Sequence, residues 1–278
     1  MPEPGLADLI GLETEPRSVA YGWKDVVLYA LGVGVPVEDL GFLYERSSGG
    51  LRVLPSFCVI PEYEAMGDLE GRFDQTRMLH GEQLIRMFRP IPPEGPLVVN
   101  ARVVNIFDKG KAAVIHTSAT GATAEGEKVF ETLKVGFYRG GGGFGGDPGP
   151  KAEALDPPVS ARPDLDITYR IPIGQAALYR LSGDYNPLHI DPDFARTAGF
   201  DRPILHGLCT YGFAVRAIVE GLCDGDVGRF REFKARFSDV VFPGEELTTR
   251  GWNENGRTLI QVSTPRGVVI SNAYAVTD

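Results

Sequence analysis

One glycine-rich run constrains how this chain can fold. Gly140-Gly141-Gly142-Gly143-Phe144-Gly145-Gly146-Asp147-Pro148-Gly149-Pro150 lies at the middle of 278 residues. Glycine loses more backbone freedom on ordering than any other residue, so such a run predicts a linker, not the interior of an element. It continues, rich in proline, to Pro163. The chain therefore divides into an N-terminal unit over residues 1–139, a linker over 140–163 and a C-terminal unit over 164–278. A chain of this length is long enough for two ordinary cores.

The two units echo each other, which predicts an internal duplication. Leu28-Tyr29-Ala30-Leu31-Gly32 resembles Leu178-Tyr179-Arg180-Leu181-Ser182, and Leu79-His80-Gly81 repeats as Leu205-His206-Gly207. Both units also carry alternating strands. Val99, Ala101 and Val103 alternate with Asn100 and Arg102, as Phe233, Ala235 and Phe237 do with Lys234 and Arg236. A period of two means a sheet with one buried face.

The segment after His206 is the clearest helix. Leu208, Tyr211, Val215, Ile218 and Leu222 fall on one helical stripe, and Ala214 and Val219 widen it. Gly221 and the Asp224-Gly225 pair mark its end. One long buried helix followed by antiparallel strands predicts a sheet wrapped around a helix. That is an α+β hot-dog arrangement, and two units make a double hot dog.

The chemistry gathers in Ser182-Gly183-Asp184-Tyr185-Asn186-Pro187-Leu188-His189. Gln175 to Ser182 reads as a short helix that Gly183 ends. Asn186 precedes a proline and is pushed out of the helical region. A carboxylate, an amide and an imidazole thus fall within six residues on a proline-stiffened turn. Asp and Asn are also ordinary turn formers and a neighbouring His an ordinary core residue, so the residues alone leave a structural role open. In the first unit Gly32-Val33-Gly34-Val35-Pro36 occupies the matching place, with no carboxylate or imidazole at that spacing.

Charge and composition exclude other classes. The formal net charge of −9 argues against a nucleic-acid partner, which needs a basic surface. No apolar run approaches the length of a membrane span, and the N-terminus lacks the basic and apolar regions of a signal peptide, so a cytoplasmic protein with no membrane partner is expected. Cys58, Cys209 and Cys223 are too few for a disulfide framework, and no Cys/His spacing suggests zinc, so no metal is expected.

The stretch from Tyr179 through Ser182-Gly183-Asp184, Asn186-Pro187 and His189 to Ala195 resembles the signature of the hydratase-2 and MaoC-like dehydratase family. Arg202-Pro203-Ile204-Leu205-His206-Gly207 is similar to that family's approach to its central helix. Leu28 to Gly34 and Leu79-His80-Gly81-Glu82-Gln83 resemble the non-catalytic half of its two-repeat members, among them the hydratase unit of peroxisomal multifunctional enzymes. The resemblance covers nearly the whole chain.

The resemblance implies an (R)-specific 2-enoyl-CoA hydratase, a hydro-lyase acting on an acyl-CoA thioester without metal or redox cofactor. Asp184 and His189 would hold a water and remove its proton, and Asn186 would orient the site. The Gly207 amide, at the start of the long helix, would meet the thioester oxygen. His80, Gly81, Lys109, Tyr185, Pro187, Leu188 and Phe237 would contact the substrate, Lys109 through a CoA phosphate. Without the resemblance Lys109 reads as a solvated hairpin residue and Phe237 as core. A homodimer is implied by similarity. Two alternatives remain: a hot-dog acyl-CoA thioesterase, and a non-catalytic acyl-CoA-binding subunit.

Overall fold

The computed structural model describes residues 5–151 and 153–278; residues 1–4, the first part of the N-terminal stretch read above, and residue 152 of the linker lie outside it. The first half runs β1 (Arg17–Tyr21), α1 (Trp23–Gly32), a single turn α2 (Leu40–Leu43), α3 (Val59–Glu70), then β2 (Met78–Met87), β3 (Gly95–Asp108), β4 (Ala112–Thr123) and β5 (Lys128–Arg139). The second half repeats the order. It runs β6 (Leu165–Arg170), α4 (Gln175–Tyr179), α5 (Pro192–Thr197), α6 (Gly207–Leu222), β7 (Phe230–Phe237), β8 (Glu246–Glu254), β9 (Arg257–Thr264) and β10 (Gly267–Thr277).

All ten strands form one antiparallel sheet in the order β1-β3-β4-β5-β2-β7-β10-β9-β8-β6. Each half contributes five strands, and the order of one half mirrors the other. The halves join where β2 pairs with β7, from Glu82 opposite Arg236 to Arg86 opposite Glu232. Charges on this seam are complementary: Glu82 lies 2.6 Å from Arg236 and 3.1 Å from Lys234, and Arg86 lies 2.6 Å from Glu232. Opposite charges facing each other across strands favour this register over a slipped one. The fold is the double hot dog expected from the sequence.

α6 is the core of the second half. Tyr211, Phe213, Val215, Ile218 and Val219 are all buried. Burying each such side chain stabilises by roughly 1.5–3 kcal/mol. That outweighs the helix penalty of Gly212 and Gly221, about 1 kcal/mol each. The Tyr211 hydroxyl donates to the Phe233 carbonyl at 2.7 Å and ties the helix to β7.

One expected equivalence fails. Leu205-His206-Gly207 leads into α6, whereas Leu79-His80-Gly81 lies inside strand β2. The residues that follow decide. After Gly207 the apolar side chains recur at helical spacing. After Gly81, Gln83, Ile85 and Met87 alternate inward. By sheet position, β2 matches β7 and α3 matches α6, so the duplication is seen in topology and not in this tripeptide.

Among its described residues the linker has no helix or strand, but it is tied down. The Asp108 carboxylate accepts the amides of Gly110, Gly143 and Gly145, each at 2.8 Å. Farther on, Leu155 is buried and its amide donates to Asn272 Oδ1 at 2.8 Å. The linker therefore crosses from the β3–β4 turn of one half to β10 of the other.

A carboxyl group lies deep in the first half. Glu62 on α3 is 3% exposed and accepts from Gln83 Nε2 at 2.9 Å. Burial pushes its pKa from 4.5 up to about 7, against the pull of Thr132, Lys134 and Gln83. The unfolded chain ionises this group first, so stability is highest below pH 4.5 on this account and is lost as pH rises toward 7. Glu62→Gln should remove that loss and stabilise the protein at pH 8 by on the order of 3 kcal/mol. Chemical denaturation of both proteins at pH 5 and pH 8 checks this; an equal difference at both values would show that Glu62 does not titrate in this range.

Candidate active site

The local sequence builds the loop that carries the carboxylate. α4 tightens into a 3-10 turn over Arg180–Ser182, and Gly183 leaves it at φ 126°, a conformation that favours glycine. Asp184 follows, and its Oδ1 accepts the Asn186 amide at 3.2 Å. Asn186 is extended before Pro187, and its Oδ1 accepts the Leu188 amide at 3.0 Å, capping the 3-10 turn Pro187–His189. The Asn186 carbonyl oxygen is thus used in the turn, and its Nδ2 remains as a donor.

That turn rotates His189 inward, to 8% exposure. Its Nδ1 sits 3.0 Å from the Ile204 carbonyl. A carbonyl only accepts, so Nδ1 carries the hydrogen and Nε2 keeps a free lone pair. Burial lowers the His189 pKa, against the opposite pull of the Ile204 carbonyl and the Asp184 carboxylate. The ring is therefore a neutral base at pH 7.

A second imidazole, not singled out in the sequence, completes the cluster. The rings of His189 and His206 stack at 3.7 Å with 30° between their planes. His206 Nε2 lies 3.2 Å from the Asp184 carbonyl oxygen. Ligand-type atoms of Asp184, His189 and His206 all lie within 4.8 Å of one another. The two rings lie against each other, and each spends one nitrogen on a carbonyl. That arrangement suits proton transfer better than a tetrahedral ion. Across the gap between halves, the Tyr63 phenol on α3 is raised in pKa by burial and by the nearby Asp184 charge.

His206 is the N-cap of α6, and Gly207 is its first residue. The amide of a first helical residue has no partner within its own helix. A Cβ at Gly207 would meet the Phe237 ring at 3.5 Å, and the Phe237 ring meets His80 edge-on at 5.0 Å. Gly207 and Phe237 of one half and His80 of the other thus form one wall. The His80 Nε2 is enclosed without a partner, and burial, then Lys134, pushes its pKa down to about 3. Gly81 occupies the register shift between His80 and Glu82 on β2.

A cleft of about 210 Å³ opens beside the loop, lined by Tyr21, Leu28, Phe57 and Ile60 of one half and by Gly183 and Tyr185 of the other. Tyr185 is 60% exposed, with the Arg180 guanidinium 5.4 Å from its ring. Pro187 is exposed and Leu188 half-buried. Lys109, in the β3–β4 turn, is engaged: its Nζ donates to the Pro148 carbonyl of the linker.

The first half matches the family model for the MFE-2 hydratase 2 N-terminal domain over residues 19–140. The second matches the MaoC like domain over residues 151–273. The chain is 40% identical over 282 residues to the peroxisomal multifunctional enzyme type 2 of Mus musculus, covering 97% of this chain but only 38% of that longer protein. It is 39% identical to the probable enoyl-CoA hydratase 2 of Dictyostelium discoideum, over 91% of this chain and 90% of the relative. Among solved structures, the MaoC-like dehydratase of Phytophthora capsici superposes with a TM-score of 0.87 at 32% identity, covering 97% of this chain and 96% of that one.

Proposed function

Since this chain belongs to the family of hydratase 2 and MaoC-like dehydratases, we propose that it adds water reversibly to trans-2-enoyl-CoA and yields (3R)-3-hydroxyacyl-CoA. One observation supports this site above others: a carboxylate and a neutral imidazole with an available Nε2 lie beside His206, whose successor Gly207 starts a 16-residue helix with an amide that has no partner within that helix.

Each group has a step. Asp184 and His189 Nε2 hold the attacking water and take its proton as oxygen bonds to C3. Electron density moves to the thioester oxygen, which the Gly207 amide and the positive end of α6 stabilise. A proton then returns to C2. Asn186 Nδ2 is free to orient the substrate or water. The thioester itself activates C3, so this route needs no redox cofactor and no metal.

The halves divide the work in this reading. The second half carries the chemistry. The first supplies His80, Gly81 and the apolar side of the cleft, and Lys109 exchanges the Pro148 carbonyl for a CoA phosphate. Among the described residues no helix is long and apolar enough to cross a membrane. A homodimer belongs to the same reading.

Chiral analysis of the product from a short 2-enoyl-CoA tests the proposal. The expected product is the (3R) alcohol. A (3S) alcohol, or release of free CoA without hydration, would overturn it. The same assay run against pH should show kcat/KM falling in acid as His189 is protonated. The midpoint should lie below the ordinary imidazole value of 6.5, because burial lowers this group. A midpoint above 6.5 would remove His189 from the role of base.

A further inference from the structure

His206 touches Asp184 and His189 and adjoins Gly207, yet it has no step in the proposed reaction. Its ring, 1% exposed, packs against two other rings and meets a carbonyl at one nitrogen: the His189 ring lies at 3.7 Å, the Tyr179 ring at 4.9 Å, and the Asp184 carbonyl faces Nε2 at 3.2 Å. Its main-chain carbonyl accepts the Thr210 amide at 3.1 Å and so begins α6, and the next residue is Gly207.

We infer that His206 is the positioning residue of this site, one ring that fixes the Asp184 loop, the His189 plane and the Gly207 amide relative to one another. The inference rests on the hydration reading for what is positioned. The geometry is specific. The Asp184 carbonyl can only accept, so His206 carries its hydrogen on Nε2 and donates to the main chain of the residue whose carboxylate acts. The same ring packs against His189, whose Nδ1 is already held by the Ile204 carbonyl. Displacements of about 1 Å in such groups cost up to roughly 10²-fold in rate.

The ring must also stay neutral, because a charged His206 would oppose protonation of His189. Groups facing it are His189 and Asp184 on the loop, and Tyr179 and Arg180 at the end of α4. Burial, reinforced by His189, pushes the His206 pKa down to about 4, against Asp184. His189 is then free to gain and lose the proton alone.

Two substitutions separate the contacts. His206→Gln keeps an N–H at the reach of Nε2 and removes the stacked ring. His206→Phe keeps the stacked ring and removes the donor. Each folded variant should lose about 10–100-fold in kcat with KM changed less than about threefold. The readout that packing alone would not move is imidazole 15N NMR of a chain with four histidines. In the unsubstituted protein His206 should be the Nε2–H tautomer and stay neutral down to about pH 5, with His189 hydrogenated on Nδ1. In His206→Gln the His189 titration should move up toward 6.5 as solvent reaches it, and in His206→Phe it should stay low. Three results would overturn the inference: an Nδ1–H or readily protonated His206, full kcat in both variants, or activity lost only with the folded fraction while the His189 titration stands still. The NMR needs no turnover, so an unsubstituted protein inactive on enoyl-CoA would sink the hydration reading and leave the tautomers still to be read.

Discussion

Asp184→Asn and His189→Gln should each lower hydration by about 10²–10⁴-fold or more while the fold persists. Asp184→Asn is close to isosteric. Its amide oxygen can still accept the Asn186 N–H now held at 3.2 Å, so the turn survives and only the charge and basicity are lost. His189→Gln removes the imidazole beside the Asp184 loop whose Nε2 is available, since His206 spends its Nε2 on the Asp184 carbonyl and its Nδ1 is enclosed. The two variants should not be additive, because both groups act on one water. Initial rates at equal folded concentration, with melting curves alongside, check the expectation. Turnover within tenfold of the unsubstituted protein in either variant would move the chemistry elsewhere.

Gly207→Pro should cost about 10²–10³-fold in kcat, and Gly207→Ala far less. A side-chain change cannot delete an amide, but proline does. The backbone accepts it. Proline is favoured at a first helical position, and His206 before it is extended at ψ 138°, the region a residue preceding proline prefers. The alanine control is also tolerated, because its Cβ would meet the Phe237 ring at 3.5 Å, an ordinary contact. Substrate binding should persist in both. If the folded proline variant turns over as fast as the alanine variant, the oxyanion donor is not this amide.

Much of this protein was legible from short-range sequence. The stripe from Leu208 to Leu222 gave α6, the alternation around Val99 and Phe233 gave strands, and the glycine run marked the passage between halves. The turn from Gly183 to His189 could be read because its geometry depends on residues two to four positions apart: a glycine with positive φ, an Asx cap and a proline.

Helical and strand periodicity and turn chemistry are local, so the sequence alone determined the two-unit architecture, the buried helix and the shared loop of Asp184, Asn186 and His189. Only the tertiary structure decided what that loop faces. His206 reaches Asp184 across 22 residues and stacks on His189 across 17. His80 meets Phe237 only because β2 pairs with β7 in one register at the seam between halves. The tripeptide Leu-His-Gly becomes strand in one half and helix start in the other because the residues packed around it differ. Lys109 turned out to hold a linker carbonyl. Contacts of this range are set by strand register and by the packing of elements far apart in the chain, and no local pattern encodes either.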